Sequence, residues 1–188
     1  TAGITTALLV GSAVVAYLLL VPYSGGSDIV PPVSVTASST ESVPSRLRIP
    51  VLGIDAHVQL VGRTSAGAMA TPDNFTDVGW YTGGPRPGEQ GSAVITGHLD
   101  NALSLDGVFK HLGDLRIGDE VYVDTATGDH VLFKVTQIAL YSYQKVPLNE
   151  VFNQTDGAYL NLITCAGTWL SKQRSYDHRL VVYTQRVE

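Results

Sequence analysis

The stretch Tyr159-Leu-Asn-Leu-Ile-Thr-Cys165 decides how the fold of this 188-residue chain is interpreted. It is a short, apolar run with β-branched residues near its end, which is the pattern of a buried strand. Its last residue, Cys165, is the only cysteine in the chain. A single thiol forms no internal disulfide, so Cys165 either packs as a small hydrophobic residue or acts as a nucleophile.

Short apolar runs of the same kind recur through residues 45–188, a length typical of one domain. Turn-forming segments such as 83–88 and 125–129 separate these runs. We therefore predict an all-β domain, with short helical turns near residues 107–112 and 148–152. So many strands in so few residues indicate a sandwich or a small barrel, and a closed barrel would leave no exposed sheet edge. The eight predicted strands are residues 46–51, 56–61, 78–81, 93–96, 120–124, 131–140, 160–164 and 180–185.

The N-terminal segment 1–27 carries no charged side chain, and positions 4–21 within it form a nearly continuous apolar stretch. As a helix, this stretch would cover about 27 Å, close to the hydrocarbon thickness of a bilayer. We interpret residues 1–22 as a transmembrane anchor, since no clear small-residue cleavage site of a signal peptide follows. Residues 23–44 are rich in Ser, Pro and Thr and predict a flexible linker to the domain at residues 45–188.

The charge pattern predicts the orientation of this anchor and excludes one class of partner. Arg46 is the first basic residue after the apolar stretch, so by the positive-inside rule the domain lies outside the cell. We therefore expect a single-pass protein of the cell membrane with an extracellular domain. The net charge of −5 and the lack of a basic run argue against nucleic-acid binding.

Three residues in predicted strand-end positions could together perform acyl transfer. A thiol needs a nearby base or cation to form its thiolate, and acyl transfer needs a donor for the developing oxyanion. His98 follows the strand at 93–96 through Gly97, and Arg179 directly precedes the strand at 180–185. A guanidinium offers several donors in one plane, although Arg179 taken alone could equally be a surface charge. His178 is a competitor for the base, but alternation along a strand points it away from the side of Arg179.

Metal and cofactor binding have little support in the sequence. One cysteine and scattered histidines show no zinc spacing. The aspartates at positions 100, 106, 114 and 119 do not form a calcium loop and are interpreted as loop and turn residues. We predict neither a metal nor a cofactor.

The combination of Leu162-Ile-Thr-Cys165, the following Arg179 and the upstream Thr96-Gly-His98 resembles the sortase signature. The resemblance covers nearly all of residues 45–188, and it is closest to the actinobacterial class E/F group, with class F preferred. It includes the stretches Arg48-Ile-Pro-Val-Leu-Gly-Ile-Asp-Ala56, Val78-Gly-Trp-Tyr81, Pro87-Gly-Glu-Gln-Gly-Ser-Ala-Val-Ile-Thr-Gly-His98 and Leu115-x-x-Gly-Asp-x-Val-Tyr-Val123.

This resemblance implies a closed eight-stranded β-barrel and a cysteine transpeptidase without a cofactor. Cys165 would attack the Thr–Gly bond of an LPXTG-like sorting signal and form a thioacyl-enzyme. His98 would transfer protons, and Arg179 would stabilise the oxyanion. The acceptor would be an amine, either of a peptidoglycan precursor or of a pilin lysine. Thr164 would help to shape the site. Independently of the resemblance, we predict that Trp169 contacts substrate, because it lies in the segment between Cys165 and Arg179.

Two alternatives are weighed against this interpretation. An L,D-transpeptidase would need an arginine two residues after the thiol, and here Ala-Gly-Thr follows Cys165. The other alternative is a membrane-tethered, non-catalytic β-domain that binds wall polymer or surface protein. The segment 166–178, between Cys165 and Arg179, either lines the substrate groove or forms a disordered loop, and the sequence leaves both possibilities open.

Overall fold

Eight strands form a closed β-barrel in the computed structural model, which describes residues 43–100, 103 and 105–187. The order around the barrel is β1-β2-β3-β4-β7-β8-β6-β5, and the pairs β2–β3 and β4–β7 are parallel. The predicted all-β barrel is therefore confirmed, and the sandwich is excluded. The strands are β1 (Pro44–Ile49), β2 (Ile54–Val61), β3 (Val78–Tyr81), β4 (Gly91–Gly97), β5 (Glu120–Thr125), β6 (His130–Ser142), β7 (Ala158–Leu170) and β8 (Ser175–Arg186).

The last two strands run much further than the sequence predicted. β7 continues to Leu170 and β8 begins at Ser175, so Cys165 lies inside a strand and the expectation that it ends one was wrong. The two strands stay paired as far as Leu170↔Ser175, with an irregularity between Ala166 and Trp169. Gly167 adopts a φ of 82° in this bulge, a conformation that glycine reaches without strain. The segment after the thiol is therefore an extended hairpin.

The barrel interior is filled by apolar side chains that alternate along the strands. Removing these side chains from water is the main favourable term for folding. β4 is buried along its whole length because it is covered on both faces. The largest fully buried side chains are Phe109, Phe133, Leu47, Ile49, Ile95, Leu112, Leu160, Leu162, Val78, Val94, Val121 and Val123.

A second apolar cluster lies on the outer face of the barrel, where the helix α1 (Leu148–Phe152) packs against β4. Asn161 on β7 holds this helix against the barrel, because its side-chain Nδ2 donates a hydrogen bond to the carbonyl oxygen of Val151 over 2.7 Å. The buried members of the cluster are Tyr81, Val94, Val151, Val181 and Tyr183.

The predicted helical turns correspond to short helical segments. Helix α1 coincides with the turn predicted at 148–152. The turn predicted at 107–112 leads into a 3₁₀ segment at Leu112–Asp114. A further 3₁₀ segment, Pro50–Leu52, connects β1 to β2 and was predicted as the end of a strand.

The predicted anchor at residues 1–22 and nearly all of the predicted linker at 23–44 lie outside the described residues. Within the described part of the chain, no helix has the length and apolar character needed to cross a bilayer.

Candidate active site

Cys165 and Arg179 face each other across the β7–β8 pair. They are Cα partners in the strand register. Leu162 and Val182 point into the barrel interior, so alternation turns Cys165 and Arg179 to the outer face. Directly opposite side chains on one face have Cβ atoms about 5 Å apart, so the thiol and the guanidinium are neighbours.

His98 lies directly beyond the end of β4, beside the same part of β7. β4 and β7 are parallel, with Thr96 paired to Ile163, and the same two steps along both chains lead to His98 and Cys165. Thr164 links strands β7 and β4 next to these residues, because its buried Oγ1 donates a hydrogen bond to the carbonyl oxygen of Gly97 over 2.9 Å. The strand register therefore pairs Cys165 with Arg179 on the outer face and places the backbone of His98 level with Cys165.

The chain after His98 turns sharply and is held in place. The carbonyl oxygen of His98 accepts a hydrogen bond from the backbone N–H of Phe109 over 2.9 Å. The ring of Phe109 is fully buried, and a Cβ added to Gly97 would lie 2.6 Å from it. A Cβ on Gly107 would overlap the His98 carbonyl group. Two glycines and a buried ring thus determine where the histidine backbone can lie.

The imidazole of His98 is anchored through one of its nitrogens. Nε2 lies 3.0 Å from the carbonyl oxygen of Pro72, and the ring of Phe75 packs with its centroid 4.7 Å from the imidazole. A carbonyl oxygen only accepts hydrogen bonds, so Nε2 carries the proton in this contact. In the neutral ring, Nδ1 is then the nitrogen with a free lone pair.

The guanidinium of Arg179 is positioned by its own hairpin. Nη1 donates to the carbonyl oxygens of Tyr176 over 3.0 Å and of His178 over 2.8 Å, and Nη2 donates to Ser175 Oγ over 2.9 Å. The ring of Tyr143 lies with its centroid 6.0 Å from the guanidinium carbon. These contacts fix the plane of a cation that sits beside the thiol.

The thiol of Cys165 experiences opposing influences. Burial raises its pKa above the usual 9.0, the positive charge of Arg179 lowers it, and the negative charge of Asp100 raises it. Asp100 accepts a 2.5 Å hydrogen bond from the hydroxyl group of Tyr176, and this bond is the largest cause that raises the pKa of Tyr176 to about 12. Sequence reasoning treated Asp100 only as a loop residue; its place shortly after His98 was the available signal.

An open cleft of about 560 Å³ lies on the outer face above this pair. Thr164 is among its lining residues. The ring of Trp169 is half exposed and packs on the ring of Tyr176, with the ring centroids 5.3 Å apart. Trp169 is not among the described residues that line the cleft. Substrate contact by Thr164 and Trp169 stays a prediction. The described lining residues are Arg63, Gly67, Ala68, Met69, Thr71, Tyr81, Gly83, Gly84, Thr96, Gly97, Tyr143, Val146, Leu148, Phe152, Asn153, Ile163, Thr164, Cys165 and Arg179.

The competing histidine, His178, has a different environment. Its Nδ1 lies 2.7 Å from a carboxylate oxygen of Asp177, and its backbone pairs with Ala166, one position away from the Cys165–Arg179 pair.

Across the described ranges 43–100, 103 and 105–187, no three His, Cys, Asp or Glu side chains are grouped to hold a metal ion.

Comparison with known proteins assigns this barrel to a family. The model of the sortase domain matches residues 47–187. No curated protein matches the sequence. The chain belongs to the sortase family, and it is therefore a cysteine transpeptidase.

Solved sortase structures share the fold. The chain is 22% identical to a lid mutant of sortase A from Corynebacterium diphtheriae, with a TM-score of 0.61 over 79% of this chain and 72% of that one. It is 23% identical to sortase C from Clostridium perfringens, with a TM-score of 0.57 over 78% and 70% of the two chains. For sortase C-1 from Actinomyces oris the identity is 23%, the TM-score 0.59 and the coverage 77% and 71%.

Proposed function

We propose that this sortase is a class F enzyme that cleaves an LPXTG-like sorting signal and transfers the acyl part to an amine. One observation carries the proposal: Cys165 and Arg179 are partners on the floor of an open cleft, beside the strand end that leads to His98. A thiol, a planar cation and an imidazole are the groups that thiol-dependent acyl transfer requires.

The proposed reaction has two halves. In the first, the thiol of Cys165 gives its proton to His98 as the sulfur attacks the carbonyl carbon between Thr and Gly, and Arg179 donates to the oxyanion that forms. The C–N bond then breaks, His98 gives a proton to the leaving amine, and a thioester remains on the enzyme. In the second half the incoming amine loses a proton to His98 as it attacks the thioester, and the thiol is released. An oxyanion donor of this kind contributes about 3–4 kcal/mol.

The acceptor that we propose is a primary amine of a peptidoglycan precursor or of a pilin lysine. The enzyme would meet it outside the cell, held by a single membrane-spanning helix within residues 1–22. Alkaline carbonate extraction tests the anchor: the full-length protein should stay with the membrane, and its release would contradict an integral helix. Protease added from outside should reach the domain.

The test of the activity is an incubation with a library of LPXTG-like peptides and several amines, followed by mass spectrometry of the products. Ligated peptides should form with the wild-type protein and with the control Ser171→Ala, an exposed position in the same hairpin. Cys165→Ala and treatment with iodoacetamide should abolish them. If both treatments leave the function intact, the non-catalytic binding domain would be the better account.

A further inference from the structure

The cleft carries a second positive charge besides the one next to the thiol. Among the described residues that line it, only Arg63 and Arg179 have charged side chains. Both are cations, although the chain as a whole has a net charge of −5. Arg179 is accounted for by the chemistry proposed above, and Arg63 has no part in it.

Arg63 is held in its orientation by the buried side chain of a tyrosine. Its Nε donates to the hydroxyl group of Tyr81 over 2.6 Å, and its guanidinium carbon lies 5.8 Å from the centroid of that ring. Tyr81 is only 8% exposed and packs edge-on against Phe152 with centroids 5.8 Å apart. Gly83 leaves the room for it, because a Cβ there would overlap the tyrosine ring. The tyrosine that holds Arg63 is thus itself locked in place.

The hydrogen bond to Tyr81 uses Nε, and the two terminal nitrogens form a second edge of the guanidinium that can pair with a carboxylate through two hydrogen bonds. Within the described part of the chain, the ion pairs do not include Arg63. Backbone bonding fixes the base of this side chain, since Arg63 forms a β-bridge with Met69. The cation is therefore held at the cleft without a carboxylate from its own described surroundings.

The strand register gives the separation between Cys165 and the strand position of Tyr81, whose side chain holds Arg63. The registers of the pairs β3–β4 and β4–β7 together place Tyr81 opposite Asn161, two strands away. Asn161 precedes Cys165 by four positions on β7. At about 3.3 Å per residue this is roughly 13 Å along the strands, and two strand spacings add roughly 10 Å sideways. The combined distance of about 16 Å is the length of roughly five residues of extended peptide.

We propose that Arg63 determines specificity by binding an acidic side chain of the acyl-donor peptide, about five residues before the cleaved bond. The inference rests on the proposed function, because it takes the cleft to hold the donor segment with its cleaved bond at Cys165. In an LPXTG-like donor the acidic residue would directly precede the motif. A partly exposed pair of this kind is expected to favour Glu over Gln by about fivefold.

The test uses two matched sets of donor peptides, one with Glu and one with Gln, its uncharged analogue. The residue is placed at the variable position of the LPXTG-like motif or at one of the three positions that precede the motif. The ratio of kcat/KM for the Glu peptide to that for the Gln peptide should be about five at the position directly before the motif. At the other positions it should be near one. Salt should reduce this ratio, because it screens exposed charges.

Variants of the protein assign the preference to one side chain. Arg63→Gln should remove the preference, so that the ratio of kcat/KM for the Glu and Gln peptides falls to about one, and Arg63→Glu should instead favour Lys at the same position. The control is Arg86→Gln, which removes an arginine outside the described cleft lining that pairs with Glu89 over 3.3 Å; it should keep the preference.

Two results would overturn the inference alone: equal turnover of Glu and Gln peptides at every position, or a preference that survives in Arg63→Gln. A wild-type protein that turns over none of the peptides would overturn the proposed function itself. The two failures are therefore distinguishable in one data set.

Discussion

The ionisation of the Cys165 thiol determines how much nucleophile is present at a given pH. Burial and the carboxylate of Asp100 disfavour the thiolate, and the guanidinium of Arg179 favours it. Burial is the largest of these influences, so the pKa of the thiol is raised above its usual value.

Asp100→Asn should lower the pKa of the thiol, because it removes a negative charge that opposes thiolate formation. The rate of alkylation by iodoacetamide, followed against pH, should rise at a lower pH than in the wild-type protein. Arg179→Gln should shift the same curve to higher pH. The control Asp106→Asn removes a carboxylate that pairs with Lys110 over 3.4 Å and should leave the curve in place. An unchanged or raised thiol pKa in Asp100→Asn would show that this charge does not act on the sulfur.

At the scale of elements, the pairing of β4 with β7 is the feature that places the backbone of His98 level with Cys165. Thr164 is 2% exposed, and its hydroxyl donates to the Gly97 carbonyl oxygen in the last residue of β4. The hydrogen bond therefore couples the residue before the thiol to the residue before the imidazole.

Thr164→Val should cost about 1–3 kcal/mol of unfolding free energy, because it leaves a buried carbonyl without its partner. Turnover should fall as well, since the end of β4 is no longer tied to β7. Thr164→Ser keeps the hydroxyl and is the matched comparison; it should retain more activity although Val is closer in volume. Denaturant unfolding and peptide turnover measure the two effects. The coupling is refuted if the Val variant is as active as the Ser variant.

Sequence patterns predicted this element-scale arrangement unevenly. The short strand Val78–Tyr81 was predicted with its observed bounds, because apolar residues and flanking turn residues mark it locally. The length of the β7–β8 hairpin was not predicted, since its exposed residues after Cys165 lack an apolar pattern and are held by pairing and by the bulge at Gly167. The three residues proposed for catalysis were named from the sequence, whereas the charge of Arg63 at the cleft became visible only through tertiary packing.

For the whole molecule, closure of the barrel depends on the seam between β1 and β5. Arg48 and Asp124 join these strands through two hydrogen bonds, Nε to Oδ2 over 2.9 Å and Nη2 to Oδ1 over 2.8 Å. The bond from Arg48 is the largest cause that holds the pKa of Asp124 below its usual 3.8, and burial opposes it. A carboxylate with a lowered folded-state pKa stabilises the fold above its unfolded-state pKa, and the contribution is lost as the pH falls through the lower value.

Asp124→Asn should therefore reduce the unfolding free energy at neutral pH by about 1–3 kcal/mol. The difference from the wild-type protein should shrink as the pH falls below 3.8, where Asp124 becomes protonated in the unfolded chain and then in the folded one. Denaturant unfolding at a series of pH values measures this. Asp55→Asn is the control: it removes the half-exposed partner of Arg46 on the neighbouring strand and should have a small effect. A difference that stays constant with pH would contradict the role assigned to the seam.

The central claim is that Cys165 carries the acyl group during transfer, and the most direct measurement is the intact mass of the protein after incubation with an LPXTG-like peptide. Without added amine, a thioester adduct of the peptide's acyl part should accumulate and map to Cys165. An added amine should then discharge it as a ligated product. A protein that stays unmodified while the peptide is cleaved, or an adduct on a residue other than Cys165, would contradict the account.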